Sequence, residues 1–273
     1  MSNGIEITHE IFFDFTGKAE IHEVIRSLEG LEKIVERVPR FISALYPNSG
    51  MPKMEVYVEE VSEGSLWQKI GLKLFFQDED EFNQAIQELS QKLGIDKMNA
   101  QAKLVGLILA AIVATGGVSY LATHVGGPST QITATNSIII NDISGTLNLD
   151  TDFVTEATEF ATQNKNKTLG DNVVDFIAPA RNKPGSDIYF SGDKNDTMGK
   201  IPAQAIQELP KEKSPSQKVE RDQYFKDEDV YVRAIDLDNA QKGWAVIAPN
   251  ISDKRVKVEL DPSVNPNVLF TSD

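Results

Sequence analysis

The chain has 273 residues, no cysteine and a formal net charge of −14 from 41 acidic and 27 basic side chains. This length suffices for two domains with hydrophobic cores, and the acidic charge argues against a protein that coats nucleic acid non-specifically, because neutralising phosphates needs an excess of Lys and Arg. The lack of cysteine excludes disulfides, thiolate metal sites and cysteine nucleophiles, and His9, His22 and His124 lie far apart in the sequence. We therefore expect no enzyme activity, no catalytic residues, no metal site and no cofactor.

The first 97 residues predict a small α+β domain. In chain order the apolar patterns indicate a strand, a helix, a second strand and two further helices, over residues 5–17, 18–38, 54–61, 63–76 and 78–94. Ser65 fits the N-cap of the second helix, EGSLWQKIGLKLFF, and Gly94 fits the C-cap of the third. The N-terminus, MSNGIEITHEIFFDF, lacks the basic and apolar regions of a cleavable secretion signal.

The first predicted helix carries a row of basic side chains in one angular sector. Its members are Arg26, Lys33, Arg37 and Arg40. A stripe of this kind can hold phosphates, but Glu29 and Glu36 flank it and neutralise part of its field. The flanking charges favour the alternative, a solvated face with local ion pairs.

The next segment, KLVGLILAAIVATGGVSYLATHVGGP, is the most distinctive part of the sequence. Residues 104–125 contain no Asp, Glu, Lys or Arg, and a helix of that length reaches about 33 Å, close to the ~30 Å hydrocarbon thickness of a bilayer. A helix in a soluble core normally keeps a polar stripe, so we predict a transmembrane segment at 98–127. Gly116 and Gly117 leave a kink or a re-entrant hairpin as alternatives.

Two rows of residues repeat every four positions within this segment. Gly106, Ala110 and Ala114 place small side chains on one face, which predicts close packing between copies of the helix. A second row adds the hydroxyls of Thr115, Ser119 and Thr123, which would line a water-filled path in a ring of identical helices. The alternative is that these hydroxyls bond back to the carbonyl four residues earlier.

Lysine placement predicts the orientation of the segment. Lys92, Lys97 and Lys103 precede it, and residues 104–164 contain no Lys or Arg. The positive-inside rule then places the N-terminal domain in the cytoplasm, and a single pass would put the C-terminal part outside.

The residues after the segment predict a β-rich or mixed region at 128–209, a Lys-, Glu-, Ser- and Pro-rich linker at 210–222 and a small β-barrel or meander at 223–273. Within the mixed region we expect a hairpin, a helix, two strands and a short helix, over residues 130–149, 151–164, 172–192 and 201–210. The turn DLDNAQKG lacks the Gly and the distal Glu of a calcium loop, so we predict no metal there.

Cations and one tryptophan in this acidic C-terminal part form a second candidate ligand site. They are Arg181, Lys183, Arg233, Trp244 and Arg255. Stacking of a base on Trp244, with the cations holding phosphates, would bind an oligonucleotide. The alternative is that Trp244 is the core aromatic of the barrel, which burial statistics favour.

The order of parts carries a resemblance. VEEVSEGSLWQKIGLKLFF, the apolar segment, IAPARNKPGSDIYF and AIDLDNAQKGWAVIAPNISDKRVKVEL together resemble bacterial anti-phage membrane effectors, in particular those of the Hailong system. The resemblance implies a homo-oligomeric ion channel in the bacterial inner membrane, with a tetramer expected. It also implies a short oligodeoxyadenylate, made by a partner nucleotidyltransferase, that holds the channel shut, so that loss of this ligand arrests growth.

The resemblance leaves the sensor domain and the function class open. A ligand made in the cytoplasm cannot reach a C-terminal domain outside the membrane, so a true single pass makes the N-terminal stripe at Arg26 the sensor. If both domains are cytoplasmic, the segment must be re-entrant or rearrange on activation. The alternative function is a single-pass anchored binding or scaffold module without channel activity. An enzyme is disfavoured, because only carboxylate chemistry is left and no carboxylate pair is recognisable.

Overall fold

The computed structural model of the chain describes residues 4–62, 66–124, 130–163, 169–191, 193–213, 229–234, 243–249 and 252–259. They belong to two compact units, Met1–Pro215 and Ser216–Asp273. Helices and strands combine in the first unit and strands form the described part of the second, so the predicted α+β class is confirmed.

A five-stranded antiparallel sheet, in the spatial order β2-β3-β1-β4-β5, organises the first unit. Its strands are β1 (Ile5–Asp14), β2 (Lys53–Ser62), β3 (Leu66–Phe75), β4 (Asp187–Tyr189) and β5 (Lys200–Ile201). β1 pairs with β3 along most of its length and with β4 at its end, where Phe12 faces Tyr189. The sheet therefore joins chain from before the apolar segment to chain from after it.

The helices of the first unit cluster around the apolar segment. Those described are α1 (Ile21–Val35), α2 (Val38–Leu45), α3 (Asp80–Leu93), α4 (Lys97–His124), α5 (Gln131–Leu147), α6 (Thr151–Thr162), α7 (Leu169–Phe176), α8 (Ala178–Arg181) and α9 (Ala203–Glu208). α4, which contains the apolar segment, packs against β1 of the sheet and against α3, α5, α6 and α7. It is thus the central element of the core.

Residues 66–75 form strand β3 and not the predicted helix. The buried residues alternate along it, as in a strand: Leu66, Gln68, Ile70, Leu72 and Leu74. Trp67 lies on the opposite face, where its ring contacts Phe12 of β1 at 4.2 Å between centroids. The buried polar Gln68 and the apolar Trp67 on the opposite face interrupt the alternation at the start of the strand, which weakens the two-residue period in the sequence. Ser65, the predicted cap, lies outside the described residues.

The region 128–209, predicted as β-rich or mixed, consists mostly of helices together with the short strands β4 and β5. Residues 131–147 form α5 in place of a hairpin, because Ile132, Ile139 and Ile143 lie at helical spacing and are buried. Residues 172–181 contribute to α7 and α8 in place of a strand. The β-branched residues of these segments favour strands intrinsically, but packing in the core overrides that preference. The predicted helices at α6 and α9 are confirmed, the latter following Pro202.

The predicted division into parts at 1–97, 98–127 and 128–209 does not coincide with the compact units of the fold. All three fall within the unit Met1–Pro215, because the sheet pairs β1 from the first part with β4 from the third, and α4 packs against β1. The pattern of local sequence carries no trace of such long-range pairing.

The described part of the second unit is a three-stranded antiparallel sheet in the order β6-β7-β8. Its strands are β6 (Tyr231–Ala234), β7 (Trp244–Ala248) and β8 (Ser252–Val258). The three predicted strands are confirmed, and closure into a barrel stays a prediction. Most of the predicted linker at 210–222 lies outside the described residues.

Candidate functional site

The enclosed apolar helix α4 is the most distinctive feature of the first unit. Lys97–Thr123 is long and apolar enough to cross a membrane, yet 83% of its most apolar 18-residue window is buried inside the protein. Residues 104–114 are all buried. A buried core helix and a membrane span share this composition, because both are surrounded by apolar groups on every side.

The small-residue row of α4 is used within the fold. A methyl group added at Gly106 would overlap the carbonyl oxygen of Phe190 and stand 2.7 Å from Cε1 of His9. Ala110 lies against Gly199, where a Cβ would be 3.4 Å from the Ala110 methyl, and Ala114 is also buried. The row does allow close packing, but here its neighbour is the chain's own sheet. Packing between copies stays a prediction.

The hydroxyl row also finds partners within the unit. Thr115 Oγ1 donates to Oδ1 of Asn136 on α5 at 3.0 Å. Thr123 Oγ1 donates back to the carbonyl of Ser119 at 2.8 Å, as the alternative for this row predicts. Ser119 is exposed. In this fold the row bonds to α4 and α5, and a role in lining a path stays a prediction.

Polar contacts hold α4 and its neighbours in place. Lys103 of α4, whose side chain is 11% exposed, forms an ion pair with Asp196 between β4 and β5. Asp142 of α5 accepts a hydrogen bond from the backbone of Gly199, and burial raises its pKa. These contacts tie α4 and α5 to the segment that joins the last two strands of the sheet.

A carboxylate from α9 caps the N-terminus of α5. The two oxygens of Glu208 accept hydrogen bonds from the backbone N–H groups of Thr130, Gln131 and Ile132 at 3.3, 2.9 and 3.0 Å. Burial acts to raise the pKa of Glu208, but these hydrogen bonds outweigh it and lower the pKa from its ordinary value. The charge therefore stabilises α5 at its positive end.

A buried histidine lies between the sheet and α4. His9 of β1 is 2% exposed, bonds to the backbone of Ala102 on α4, and leaves its Nε2 without a hydrogen-bond partner. Burial lowers the pKa of His9 to about 4. The imidazole is therefore neutral at neutral pH, and protonation would place a charge against the apolar helix.

The first set of predicted ligand residues is divided between the two units. In the first unit, Arg181 donates to the carbonyl of Leu209 and, at 2.5 Å, to Oε1 of Gln207. Lys183 forms an ion pair with Glu23 at 3.1 Å. Both cations therefore hold parts of the fold together.

The other three members of this set belong to the second unit. Arg233 and Arg255 are exposed there. Trp244 is 2% exposed, as expected of a core aromatic and not of an open stacking platform.

The second set, the basic stripe, is separated into two halves by its ion pairs. Arg26 donates from both Nε and Nη2 to Oδ1 of Asp175 at 3.1 Å, and Lys33 bonds to Oε1 of Glu36 at 2.8 Å. The local ion pairs that the sequence suggested as the alternative are present for these two residues.

Arg37 and Arg40 differ from the first half of the stripe. No ion pair with a carboxylate is formed by either one within the described residues. Arg40 lies 5.0 Å from the centre of the Phe160 ring and donates to the carbonyl of Gln163 at 3.2 Å. Arg37 is only 7% exposed.

Several buried polar groups escaped prediction because their partners are distant in sequence. Glu23, 4% exposed, binds Asn182 at 2.7 Å as well as Lys183, and Asp175 binds Lys213 in addition to Arg26. A sequence shows the ionisable residue but not its partner. Among the described residues, no three His, Asp or Glu side chains are grouped as metal ligands would be.

Comparison of the chain with protein-family models, curated proteins and solved structures gives no match.

Proposed function

We propose that the chain is the membrane effector of a bacterial anti-phage defence pair, and that α4 enters the membrane only after it leaves the fold described above. The observation that carries this proposal is the contrast between the composition of α4 and its place. It has the length and apolarity of a span, with no charge from residue 104 onward, and is enclosed by the rest of its unit. The fold is then a closed state that keeps a membrane-active helix out of water.

Sheet pairing requires the two states to differ. β1 precedes α4 in the chain, β4 follows it, and the two strands are hydrogen-bonded neighbours. If α4 crossed a bilayer as a single span, these strands would lie on opposite sides of about 30 Å of hydrocarbon. Insertion as one span therefore requires the β1–β4 pairing to break. Under this proposal the chain has two states, a closed one with β1 paired to β4 and an open one in which α4 enters the membrane.

In the inserted state, α4 helices would assemble into a homo-oligomer, with a tetramer expected. Gly106, Ala110 and Ala114 would form the helix contacts, and Thr115, Ser119 and Thr123 would line the ion path. The N-terminal part would stay in the cytoplasm at the bacterial inner membrane. Ion leakage through such a channel would arrest growth of the infected cell.

A short oligodeoxyadenylate from a partner nucleotidyltransferase would hold the closed state. A ligand that binds only the closed state stabilises it by mass action, and its loss shifts the population towards opening. Of the candidate binding residues, Arg181 and Lys183 already carry contacts of the fold, which favours the Arg37 end of the basic stripe.

An engineered crosslink tests the opening step. Because the native chain has no cysteine, the double variant Asp14→Cys, Asp187→Cys places a unique pair on facing positions of β1 and β4, within the Cα spacing that a disulfide needs. The full-length protein is added to potassium-loaded liposomes, oxidised or reduced, and potassium release is measured. We expect release from the reduced protein and none from the oxidised protein.

A second crosslink is the matched control. Glu6→Cys with Lys73→Cys joins β1 to β3, both before α4, so oxidation should leave potassium release intact. Release that survives the β1–β4 crosslink would refute opening of the sheet. Liposome binding without potassium release in any variant would refute the channel and favour the anchored binding module. Added oligodeoxyadenylate should suppress release from the reduced protein.

A further inference from the structure

The corner where α1 meets α2 carries two positive charges that form no ion pair within the described residues. Arg37 occupies the N-cap position of α2, and Arg40 follows within the first turn of that helix. Arg37 is 7% exposed, and within the part of the chain that the structure describes its guanidinium has no hydrogen bond and no ion pair. A side chain this buried and charged is normally paired.

The local carboxylates do not supply the missing partner. Glu36, the nearest in sequence, binds Lys33 at 2.8 Å, and Asp175 binds Arg26 and Lys213. Burial lowers the pKa of Arg37 and the charge of Arg40 lowers it further, while the charge of Glu36 acts in the opposite direction without outweighing them. The two guanidinium groups are thus close enough to repel each other, which adds to the cost of leaving Arg37 unpaired.

Arg40 is held in a fixed position beside this buried charge. Its guanidinium lies 5.0 Å from the Phe160 ring centre and donates through Nη1 to the Gln163 carbonyl at 3.2 Å. A planar guanidinium fixed in this way keeps further N–H donors for a ligand. Phe160 and Gln163 belong to α6 and its end, so the corner brings together α1, α2 and α6.

We propose that Arg37 and Arg40 form a binding site for a phosphoryl group. Guanidinium groups bind phosphate oxygens through paired charge-assisted hydrogen bonds. Two adjacent arginines that form no ion pair with a carboxylate within the described residues would supply such bonds and would gain a directly bonded counter-charge. The chain has a net charge of −14, so two adjacent cations form a local positive site in an otherwise acidic protein.

Binding at this corner would also stabilise the packing around α4. α2 packs against both α6 and α4, so a phosphoryl group shared by Arg37 and Arg40 would fix the helices that enclose the apolar segment. This consequence for α4 rests on the proposed function, whereas the binding itself does not.

Calorimetric titration of the full-length protein with pyrophosphate tests the site. It is carried out at constant ionic strength, with chloride as the reference anion. We expect saturable binding by the native protein and a loss of about tenfold or more in Arg37→Met, since charge-assisted hydrogen bonds to phosphate oxygens are among the strongest in proteins. Arg40→Gln should weaken binding in the same direction. Arg37→Lys keeps the charge but not the fork, so it should restore only part of the affinity.

Two controls separate a binding role from a structural one. Lys53→Gln removes one positive charge from the exposed surface of β2, and its affinity should stay within about twofold of the native value, as expected for a surface charge. Arg37→Met should melt at the same or a higher temperature than the native protein without ligand, because it removes an unpaired buried charge. Lower melting of this variant together with unchanged affinity would overturn the proposal.

A parallel arm distinguishes the source of the phosphoryl group. Vesicles of phosphatidylcholine with phosphatidic acid, compared with phosphatidylcholine alone, replace pyrophosphate. The site is supported if the native protein binds pyrophosphate or the phosphatidic acid vesicles and Arg37→Met abolishes that binding. Binding to pyrophosphate indicates a soluble source of the phosphoryl group, and binding to the vesicles indicates a lipid source. If the native protein binds neither probe, the site is refuted, and the potassium-release experiment still decides the proposed function independently.

Discussion

Substitution of Gly106 by alanine should destabilise the closed fold. The added methyl would overlap the carbonyl oxygen of Phe190 and approach Cε1 of His9 to 2.7 Å. His9 belongs to β1 and Phe190 is the buried residue directly after β4, so neither is a flexible surface chain. Overpacking of a filled core costs about 1–3 kcal/mol, whereas replacing glycine within a helix contributes up to about 1 kcal/mol in the opposite direction. Because the contacted Phe190 carbonyl is backbone and cannot rotate away, the cost should lie in the upper half of its range, about 2–3 kcal/mol, and the net loss should be about 1–2 kcal/mol.

Thermal unfolding measures this loss against a matched control. For a unit of this size, about 1 kcal/mol corresponds to about 2–4 °C in melting temperature, so Gly106→Ala should melt roughly 2–8 °C below the native protein. Gly145 of α5 has no atom within 4 Å of the position that a Cβ would take, so Gly145→Ala should melt at the same temperature or slightly higher. Equal melting of the two variants would refute the close approach of α4 to the sheet.

Two further predictions concern titratable groups. Glu208→Gln should destabilise the protein by about 1 kcal/mol in urea unfolding at pH 7, because it removes the charged cap of α5. Since the pKa of Glu208 is lowered in the folded protein, this difference should be complete above the pKa of the unfolded state and disappear as the pH falls through the pKa of the folded state. A difference that does not change with pH would contradict this prediction. Folding lowers the pKa of His9 from 6.5 to about 4, so between these pH values the unfolded chain binds a proton at His9 that the folded chain does not. The free energy of unfolding should therefore decrease by about 3 kcal/mol as the pH falls from 6.5 towards 4. In urea unfolding His9→Gln should lack this decrease, and an unchanged decrease would assign it to other groups.

Local sequence predicted those elements whose pattern is set by one exposed and one buried face. β1, α1 and α3 are of this kind, and Gly94 does end α3 in the left-handed conformation. The predictions for β3 and α5 were wrong in opposite directions, a helix in place of a strand and a hairpin in place of a helix. In β3 the buried Gln68 and the apolar Trp67 on the other face weaken the two-residue period. In α5 the β-branched residues favour a strand, and the helical burial pattern becomes visible only through packing on α4.

The candidate sites also depend on contacts between residues that are distant in sequence, and these contacts determine the role of each charged side chain. The sequence places Arg26, Lys33, Arg37 and Arg40 in one sector of a helix, and all four are equivalent there. The fold distinguishes them because Asp175 arrives from a helix 149 residues further along to bind Arg26. Arg37 is left buried and unpaired among the described residues, and no property of its neighbours in sequence indicates this.

The composition of α4 suits both environments, and this determines where control of the proposed transition must lie. Its apolar side chains are out of water in the core and would be out of water in a bilayer, so the hydrophobic effect on α4 itself favours neither state strongly, provided that the side chains enclosing it, such as Ile132 and Val173, are buried again after opening. The polar contacts that the closed fold provides are the Lys103–Asp196 ion pair, the cap at Glu208 and the β1–β4 hydrogen bonds. Each contributes a few kcal/mol at most. A phosphoryl ligand at Arg37, with a contribution of the same size, would therefore be enough to shift the balance between the two states.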